Sequence, residues 1–335
     1  MRIAISTRWI GGIGGTERCV WSMVRALRAH DVVVFAQEVI PSELLPAPNE
    51  CEVRLVSKEL PWPWTILRHV LPAKHRVLGA PHGHFDVYLH LRQGSVLTHL
   101  ITSTVRGINP AGGDVRSLLR DIPIVLSEAP GGEVFAPPAT TGQRLLPPPL
   151  IRVSDGVEPV SGLPDEFLLT VFNPYEPVKG ADILARLAPT SALPIVWCFS
   201  DRTVPLDADT TRVPGTIPVH DPSQGALQYL YSRASGYVSF SRREGFGWAV
   251  ADALLHGLPV LTRKTGCVHF VTGQSGITLY EDEAALEVKL SGRPADWLAG
   301  EKVTYDLSSL SPERFVERLQ CWVGDASARR PSEPT

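Results

Sequence analysis

Residues 239–262 read SFSRREGFGWAVADALLHGLPVLT, and this stretch decides how the rest of the chain is interpreted. It predicts the end of a strand at Phe240, a loop, a short helix, and a second strand from Pro259 to Thr262. The helix is expected to end at Gly257, which can adopt the left-handed conformation, just before a proline that cannot continue it. Two glycines precede the helix and its first N–H groups are free, so the turn suits a phosphate.

Two acids flank this turn. Glu244 lies in the loop, and Asp252 lies two turns into the predicted helix. A carboxylate beside a phosphate repels it, so we expect these acids to bind hydroxyl groups rather than the phosphate itself.

The same stretch resembles the signature of family 4 retaining glycosyltransferases of the GT-B fold. The residues that match the signature are Glu244, Gly245, Phe246, Gly247, Ala253, Gly257, Pro259 and Val260. An acid eight positions after Glu244 also belongs to it. That family usually has Glu at both acidic positions. The second acid here is Asp252, whose side chain is one methylene shorter.

Length and composition predict a globular chain with two domains. The chain has 335 residues, of which 44% are hydrophobic and 20% charged, and a net charge of −3. Such a length suits two domains of about 150 residues each, and this charge gives no reason to expect a nucleic-acid partner. The five cysteines are scattered, and no apolar run of about 18 residues occurs, so we expect a cytoplasmic protein without a signal peptide or spanning helix.

The beginning of the chain predicts a strand–helix–strand unit. A short apolar strand (residues 2–7) precedes a glycine loop (9–15), a helix (16–28) and a second strand (31–37). The helix is expected to bury Val20, Val24 and Leu27, and the unit implies a parallel sheet covered on both faces. Glu17 stands where a dinucleotide fingerprint needs its third glycine, so that interpretation fails.

A second interpretation of the glycine loop comes from the resemblance. In family 4 enzymes a similar loop followed by Glu lies over the nucleotide diphosphate and the acceptor, and Gly14, Gly15 and Glu17 match it. The alternative is a tight turn that binds no ligand.

The remaining pattern predicts two domains of alternating strands and helices. In the first, the further apolar strands or segments are 52–56, 85–91, 95–105 and 122–127. In the second, 166–172 and 236–240 are strands, 194–199 and 212–219 are strands or turns, and 181–187 and 225–232 are helices. A last helix (311–323) begins with Ser311 as N-cap and Pro312 at its first position.

The expected fold class is therefore α/β. The resemblance implies the GT-B fold, with two Rossmann-like doubly wound domains facing a central cleft and a C-terminal helix that crosses back to the first domain. We expect an acceptor-binding domain at 1–158 with the returning helix 311–325, a nucleotide-sugar-binding domain at 159–310, and a flexible tail at 326–335.

The segment 60–78, LPWPWTILRHVLPAKHRVL, mixes tryptophans and aliphatic residues with basic ones. One interpretation is peripheral contact with an anionic membrane, through an apolar face and a cationic rim. The other, which we favour, is a helix packed on its own sheet with a charged outer face.

The resemblance also implies roles on the phosphate side of the site. Lys179, before Gly180 in a strand–loop–helix turn, would bind the diphosphate. Asn173 occupies the position where the family has Arg. Either another cation, such as Arg242 or Arg243, substitutes for it, or the diphosphate is bound less strongly.

On the sugar and base side, Glu244 would bind the donor sugar's hydroxyls and Asp252 those of the ribose. The backbone of the loop and helix start (Gly245, Phe246, Gly247, Trp248) would face the sugar and diphosphate, and the turn at Gly215, Thr216 and Ile217 would meet the base. The family also places a histidine of the first domain near the donor sugar, for which His99 is preferred over His90.

The resemblance therefore implies a retaining glycosyltransferase that moves a sugar from a nucleotide-diphosphate sugar, most simply UDP- or GDP-linked, to a hydroxyl of a sugar, lipid or natural-product acceptor. No cofactor or metal is expected, because the mechanism that the resemblance implies requires neither. Two alternatives stay open: a GT-B sugar-nucleotide epimerase, and a catalytically silent sugar-nucleotide-binding subunit. The expected location is the cytoplasm, with the inner membrane surface as an option through residues 60–78.

Overall fold

The computed structural model describes most of two α/β units. The described residues are 1–55 without Arg8, Ile13 and Gln37, then 87–90, 147–200 without Ser154 and Asp155, 212–297 without 272–274, then Val303 and 305–328. The predictions for residues 60–78, 95–105 and 122–127 and for His99 lie outside them. One compact unit holds the described residues up to Ile151 and those from Leu310 onward, and the other holds Arg152–Ser309.

The first unit is built on a parallel sheet. Its elements are β1 (Arg2–Ser6), β2 (Trp9–Gly11), α1 (Gly15–Ala26), β3 (Asp31–Ala36), β4 (Glu38–Ile40), β5 (Glu52–Leu55) and β6 (Val87–His90). The strand order is β5-β3-β1-β6, with every neighbouring pair parallel. Val20 and Val24 of α1, and Leu27 directly after it, are fully buried, as the helical spacing predicts.

The glycine loop contains one element that the sequence did not predict. Trp9–Gly11 was expected to be loop, and instead forms β2, which pairs in parallel with β4. Gly11 has a φ of 77°, and a Cβ built on it would lie 1.8 Å from the carbonyl oxygen of Ile40. The loop prediction was therefore wrong for these three residues, because the glycine allows a backbone approach that sequence spacing does not reveal.

The last helix belongs to the first unit. Helix α7, numbered in chain order after the helices of the second unit, spans Pro312–Ala328 and contacts α1. Its Phe315 and Leu319 are buried, and the Ser311 hydroxyl accepts a hydrogen bond from the Arg314 N–H at 3.1 Å, as an N-cap should. The helix continues to Ala328, so it includes the first residues of the predicted tail.

The second unit contains six described strands. They are β7 (Leu168–Val171), β8 (Ile195–Phe199), β9 (Thr216–His220), β10 (Gly236–Val238), β11 (Val260–Thr262) and β12 (Ile277–Leu279). The helices are α2 (Ala181–Leu187), α3 (Gln224–Arg233), α4 (Trp248–Leu255), α5 (Glu283–Leu290) and α6 (Pro294–Trp297).

The strand order of this sheet locates a ligand site. The order is β12-β11-β10-β7-β8-β9, and all neighbours are parallel. Counted from β7, this is the 3-2-1-4-5-6 order of doubly wound nucleotide-binding sheets, whose direction of winding reverses between β7 and β10. Ligands of such sheets bind beyond the carboxyl ends of the strands at that reversal. A ligand of this sheet is therefore expected to contact the loops after β7 and β10.

An aromatic cluster holds the beginnings of these two loops. Phe172 follows β7 and Phe240 lies shortly after β10, and their ring centroids are 6.5 Å apart. Trp197 of β8 is fully buried 5.4 Å from the Phe172 ring and donates its indole N–H to the Phe172 carbonyl oxygen at 3.1 Å. Both loops thus leave the sheet from a packed aromatic core.

In the described part of the chain, no helix combines the length and the apolar character needed to cross a membrane.

Candidate active site

Lys179 and Glu244 meet where the two loops leave the sheet. They are 65 positions apart in sequence, and the Lys179 Nζ lies 2.7 Å from a Glu244 carboxylate oxygen. The side chains are 24% and 13% exposed, so the ion pair is largely but not fully shielded from water. The structure thus brings together the two residues that the sequence predicted to bind diphosphate and sugar.

A tight turn presents Lys179. The turn is a single 3₁₀ segment, Pro177–Lys179, which ends at Gly180 with a φ of 78°. A Cβ built on Gly180 would lie 2.3 Å from the carbonyl oxygen of Phe240. Glycine is therefore required both by the backbone angle and by the neighbouring loop.

We expect Gly180→Ala to lower the free energy of unfolding by about 2 kcal/mol, because strain at positive φ and a backbone clash add together. Gly162→Ala is the matched control, since Gly162 has nearly the same φ of 76° but a Cβ built on it would meet nothing within 4 Å. Urea unfolding of both variants separates the two effects. Equal losses would show that the contact with Phe240 contributes nothing.

The loop that carries Glu244 leads into α4. Gly247 caps this helix with a φ of 77°, and the first bond within the helix runs from the Ala251 N–H to the Gly247 carbonyl oxygen at 3.0 Å. The positive end of the helix dipole therefore lies directly after the loop. Cys267, which follows β11 in the chain, donates its backbone N–H to the Phe246 carbonyl oxygen at 2.6 Å. This hydrogen bond helps to fix the position of the loop.

Asp252 lies on α4, one turn beyond its first residues. Burial raises the pKa of the Cys267 thiol, and the charges of Glu244 and Asp252 raise it further. Both predicted hydroxyl-binding acids therefore lie near the same buried thiol. The Asp252 carbonyl oxygen is also held by the ring of His256, whose Nδ1 is 2.7 Å away.

His256 links α4 to α3 and is partly buried between them. Its Nε2 lies 2.9 Å from the Gln228 side-chain oxygen, and its ring stacks on Tyr231 with centroids 5.2 Å apart. Burial lowers the pKa of His256, and the bond to the Asp252 carbonyl only partly opposes this.

The pKa of His256 is lower in the folded protein than in the unfolded chain. As the pH falls, the unfolded chain therefore binds a proton at this residue before the folded protein does. Stability from this group is complete above about pH 6.5 and is lost as the pH falls through the folded pKa. We expect the urea midpoint of the wild type to decrease between pH 7 and pH 5, and that of His256→Phe, which keeps a stacking ring, to decrease less. Parallel curves would contradict the assignment.

The cations proposed to replace the family's arginine have different surroundings. Arg242 binds the Asp182 carboxylate through both guanidinium nitrogens at 2.8 and 2.6 Å. Arg243 is exposed and has no ion-pair partner among the described residues, which leaves it available to a ligand. Asn173 accepts a hydrogen bond from the Ser200 N–H at 2.8 Å and donates one to the Tyr175 hydroxyl at 2.9 Å, so it ties the loop to the end of β8.

The residues predicted to meet the base lie at the amino ends of the strands of this sheet, whereas Lys179 and Glu244 lie beyond the carboxyl ends. Thr216 begins β9 opposite Ile195, the first residue of β8, and the preceding Gly215 packs against the backbone of Ala188. The structure therefore does not bring Gly215, Thr216 and Ile217 together with Lys179 and Glu244.

The carboxyl end of β9 carries two residues that the sequence patterns did not single out. His220 ends the strand with its ring 5.5 Å from that of Phe199, and Asp221 follows with a φ of 45°. These residues share the sheet edge of the Lys179–Glu244 pair. The signal that could have found them is the rule that ligands bind at the carboxyl ends of parallel strands.

In the first unit, Gly14 and Gly15 are exposed at the start of α1, which follows β1 and β2. Glu17 is 7% exposed, and burial raises the pKa of its carboxyl group. Its carboxylate lies so close to Gly14 that a Cβ there would be 2.3 Å from a carboxylate oxygen. His90 pairs with Ser6 at the carboxyl end of β6, and its side chain lies outside the described residues.

Chemically, the arrangement offers a cation, a carboxylate and a helix N-terminus at one point of a sheet edge. These groups suit a ligand with both anionic and hydroxyl parts. Within the described ranges, no three His, Cys, Asp or Glu residues are grouped closely enough to hold a metal ion.

Comparison with known proteins finds similarity at the level of structure. No protein-family model matches the chain, and no curated protein matches it in sequence. The solved structure of HepE from Anabaena, in complex with UDP and glucose, has a TM-score of 0.60 at 14% identity and covers 97% of this chain and 100% of its own.

Two further structures are similar over nearly the whole length. Sucrose-phosphate synthase from Thermosynechococcus elongatus has a TM-score of 0.58 at 16% identity, covering 98% of this chain and 100% of that one. WaaG, a glycosyltransferase involved in lipopolysaccharide biosynthesis, has a TM-score of 0.53 at 15% identity, covering 94% and 99%. At such identities the likeness shows the fold, and the expected α/β GT-B fold with two Rossmann-like domains is confirmed.

Proposed function

We propose that the chain is a family 4 retaining glycosyltransferase that moves a sugar from a nucleotide-diphosphate sugar to a hydroxyl group of an acceptor. The observation that carries the proposal is the pairing of Lys179 with Glu244 at the strand-order reversal, beside the start of α4. A donor of this kind has a diphosphate for the cation and the helix end, and sugar hydroxyls for the carboxylate.

The choice of donor is supported by the structural neighbours. HepE structures contain UDP with glucose, or UDP-glucose, so a UDP-sugar is the first donor to test, followed by GDP-sugars. The neighbours include proteins involved in lipopolysaccharide and avilamycin A biosynthesis, which leaves a sugar, a lipid or a natural product as the acceptor class here.

In the proposed reaction, the bond between the sugar and the diphosphate breaks and negative charge develops on the leaving phosphate. Lys179, the start of α4 and the exposed Arg243 would stabilise that charge, which is the largest contribution a site of this kind can make. The leaving diphosphate would take the proton of the acceptor hydroxyl on the same face of the sugar. No protein nucleophile and no metal ion is needed for these steps.

The test is turnover of a panel of UDP-, GDP- and TDP-sugars by the purified protein, with and without EDTA. We expect release of the nucleoside diphosphate to be EDTA-resistant, and the product to keep the anomeric configuration of the donor in its NMR spectrum. An inverted product would contradict the retaining mechanism. Binding of nucleotide sugars without turnover would indicate the silent subunit, and a change of configuration within the unreleased donor sugar would indicate the epimerase.

We also propose that residues 60–78 hold the protein at the inner face of a membrane when the acceptor is a lipid. Their support is compositional: Trp62 and Trp64 precede the basic residues Arg68, Lys74 and Arg76. Less of the double variant Trp62→Ala/Trp64→Ala than of the wild type should sediment with anionic vesicles. Unchanged sedimentation would leave the packed-helix interpretation.

A further inference from the structure

Arg242 connects the two loops that form the candidate site. Its backbone N–H donates to the Val178 carbonyl oxygen at 2.8 Å, and its Nη1 donates to the Pro177 carbonyl oxygen at 3.1 Å. The same guanidinium binds Asp182, in the first turn of α2, at two points. One residue of the loop after β10 thus binds the first two residues of the turn that presents Lys179 and the helix that follows this turn.

The turn has little else to fix it. None of the residues of Pro177–Lys179 is buried, and Val178 is 36% exposed, so no apolar side chain anchors the segment. Within the turn, the Lys179 N–H bonds to the Glu176 carbonyl oxygen at 2.9 Å, and the Gly180 N–H bond to Pro177 is longer, at 3.4 Å. Contacts from outside the turn must therefore set its position.

Arg242 also precedes Glu244 by only two positions. A displacement of the Pro177–Lys179 turn relative to the Arg242 backbone is therefore a displacement of Lys179 relative to Glu244. A planar guanidinium bound at two points fixes direction as well as distance, which a lysine at this position could not do.

We propose that Arg242 is a positioning residue of the candidate active site: it aligns Lys179 with Glu244 by clamping the Pro177–Lys179 turn and Asp182 to the loop after β10. The proposal rests on the proposed function, because the aligned pair is the one that would bind the donor. Arg242 itself would not touch the donor, since its guanidinium is occupied by Asp182 and lies 3.5 Å from Glu283.

Because Arg242 and Asp182 are exposed, substituting them is expected to change the alignment of Lys179 without a large change in the free energy of unfolding. Arg242 and Asp182 are 39% and 60% exposed, and ion pairs of that kind contribute little to folding. Arg186→Ala is the matched control, because Arg186 lies on α2, like Asp182, and forms its ion pair with Glu283 rather than with the Pro177–Lys179 turn.

The kinetic experiment compares Arg242→Ala, Arg242→Lys and Asp182→Asn with this control, using the donor that the wild type turns over. We expect kcat to fall about tenfold or more in the first variant, because misplacement by about an ångström is enough for such a loss. Arg242→Lys should recover only part of it, and Arg186→Ala should keep wild-type kcat. In a Lys179→Ala background, Arg242→Ala should cause no further loss, whereas a full additional tenfold loss would overturn the proposal.

Amide hydrogen exchange tests the same clamp without turnover. The Lys179 and Gly180 amides should exchange faster in Arg242→Ala and in Asp182→Asn than in the wild type or Arg186→Ala, with exchange in β10 unchanged. Equal exchange at Lys179 in all four proteins would overturn the proposal. A wild type that turns over no sugar nucleotide would refute the proposed function, and the exchange result would still decide the role of Arg242.

Discussion

Glu244→Ala is expected to lower sugar transfer by about 1000-fold, because under the proposed function the variant removes a group that binds the donor sugar's hydroxyls, and it also leaves Lys179 without its partner. The carboxylate is only 13% exposed and lies 2.7 Å from the Lys179 Nζ, so water cannot simply replace it. The measurement is kcat/KM for the donor, with circular dichroism and the urea midpoint to establish that the variant is folded.

Two variants sharpen this prediction. Glu244→Gln keeps the shape and one acceptor oxygen but not the charge, so it should retain more activity than the alanine variant if hydroxyl binding matters, and no more if only the charge does. Glu281→Ala is the control, since Glu281 is an exposed acid just after β12 in the same unit. Full activity in folded Glu244→Ala would remove Glu244 from the site.

Much of the fold could be predicted from sequence because it depends on local patterns. Runs such as Val32, Val33 and Val34 give buried parallel strands, and Ser311 followed by Pro312 gives a helix start; both occur as predicted. The pairing of β2 with β4 was missed, because it depends on a close contact between a glycine and a carbonyl group in segments whose sequences show no strand pattern.

The site divides in the same way. The sequence singled out Lys179 and Glu244 because each lies in a loop with its own glycine signature, and the fold brings those loops together at neighbouring strands; their roles in binding stay predictions. The placement of Gly215 at the amino end of β9 was not foreseen, because the turn resembles a ligand loop but the strand starts after it. The role of Arg242 depends on a partner 60 positions away, which no local pattern reveals.

Lys179→Ala is expected to lower kcat by about 100-fold or more, because under the proposed function the cation stabilises charge that develops as the diphosphate leaves. The same variant should weaken binding of UDP by roughly tenfold, while uridine, which has no phosphate, should bind as to the wild type. Competition by UDP, UMP and uridine in a calorimetric or NMR titration measures this dependence on phosphate directly.

The comparison of UDP, UMP and uridine distinguishes a lysine that binds the diphosphate from a lysine with a purely structural role. If Lys179 only neutralised Glu244, its removal would affect all three competitors equally, through the unpaired carboxylate. Lys179→Arg keeps the charge and should restore UDP binding more fully than kcat, since a guanidinium on this short turn cannot occupy the position of the ammonium group. Unchanged discrimination between UDP and uridine in folded Lys179→Ala would show that the diphosphate is bound elsewhere, and would leave Arg243 as the cation to test next.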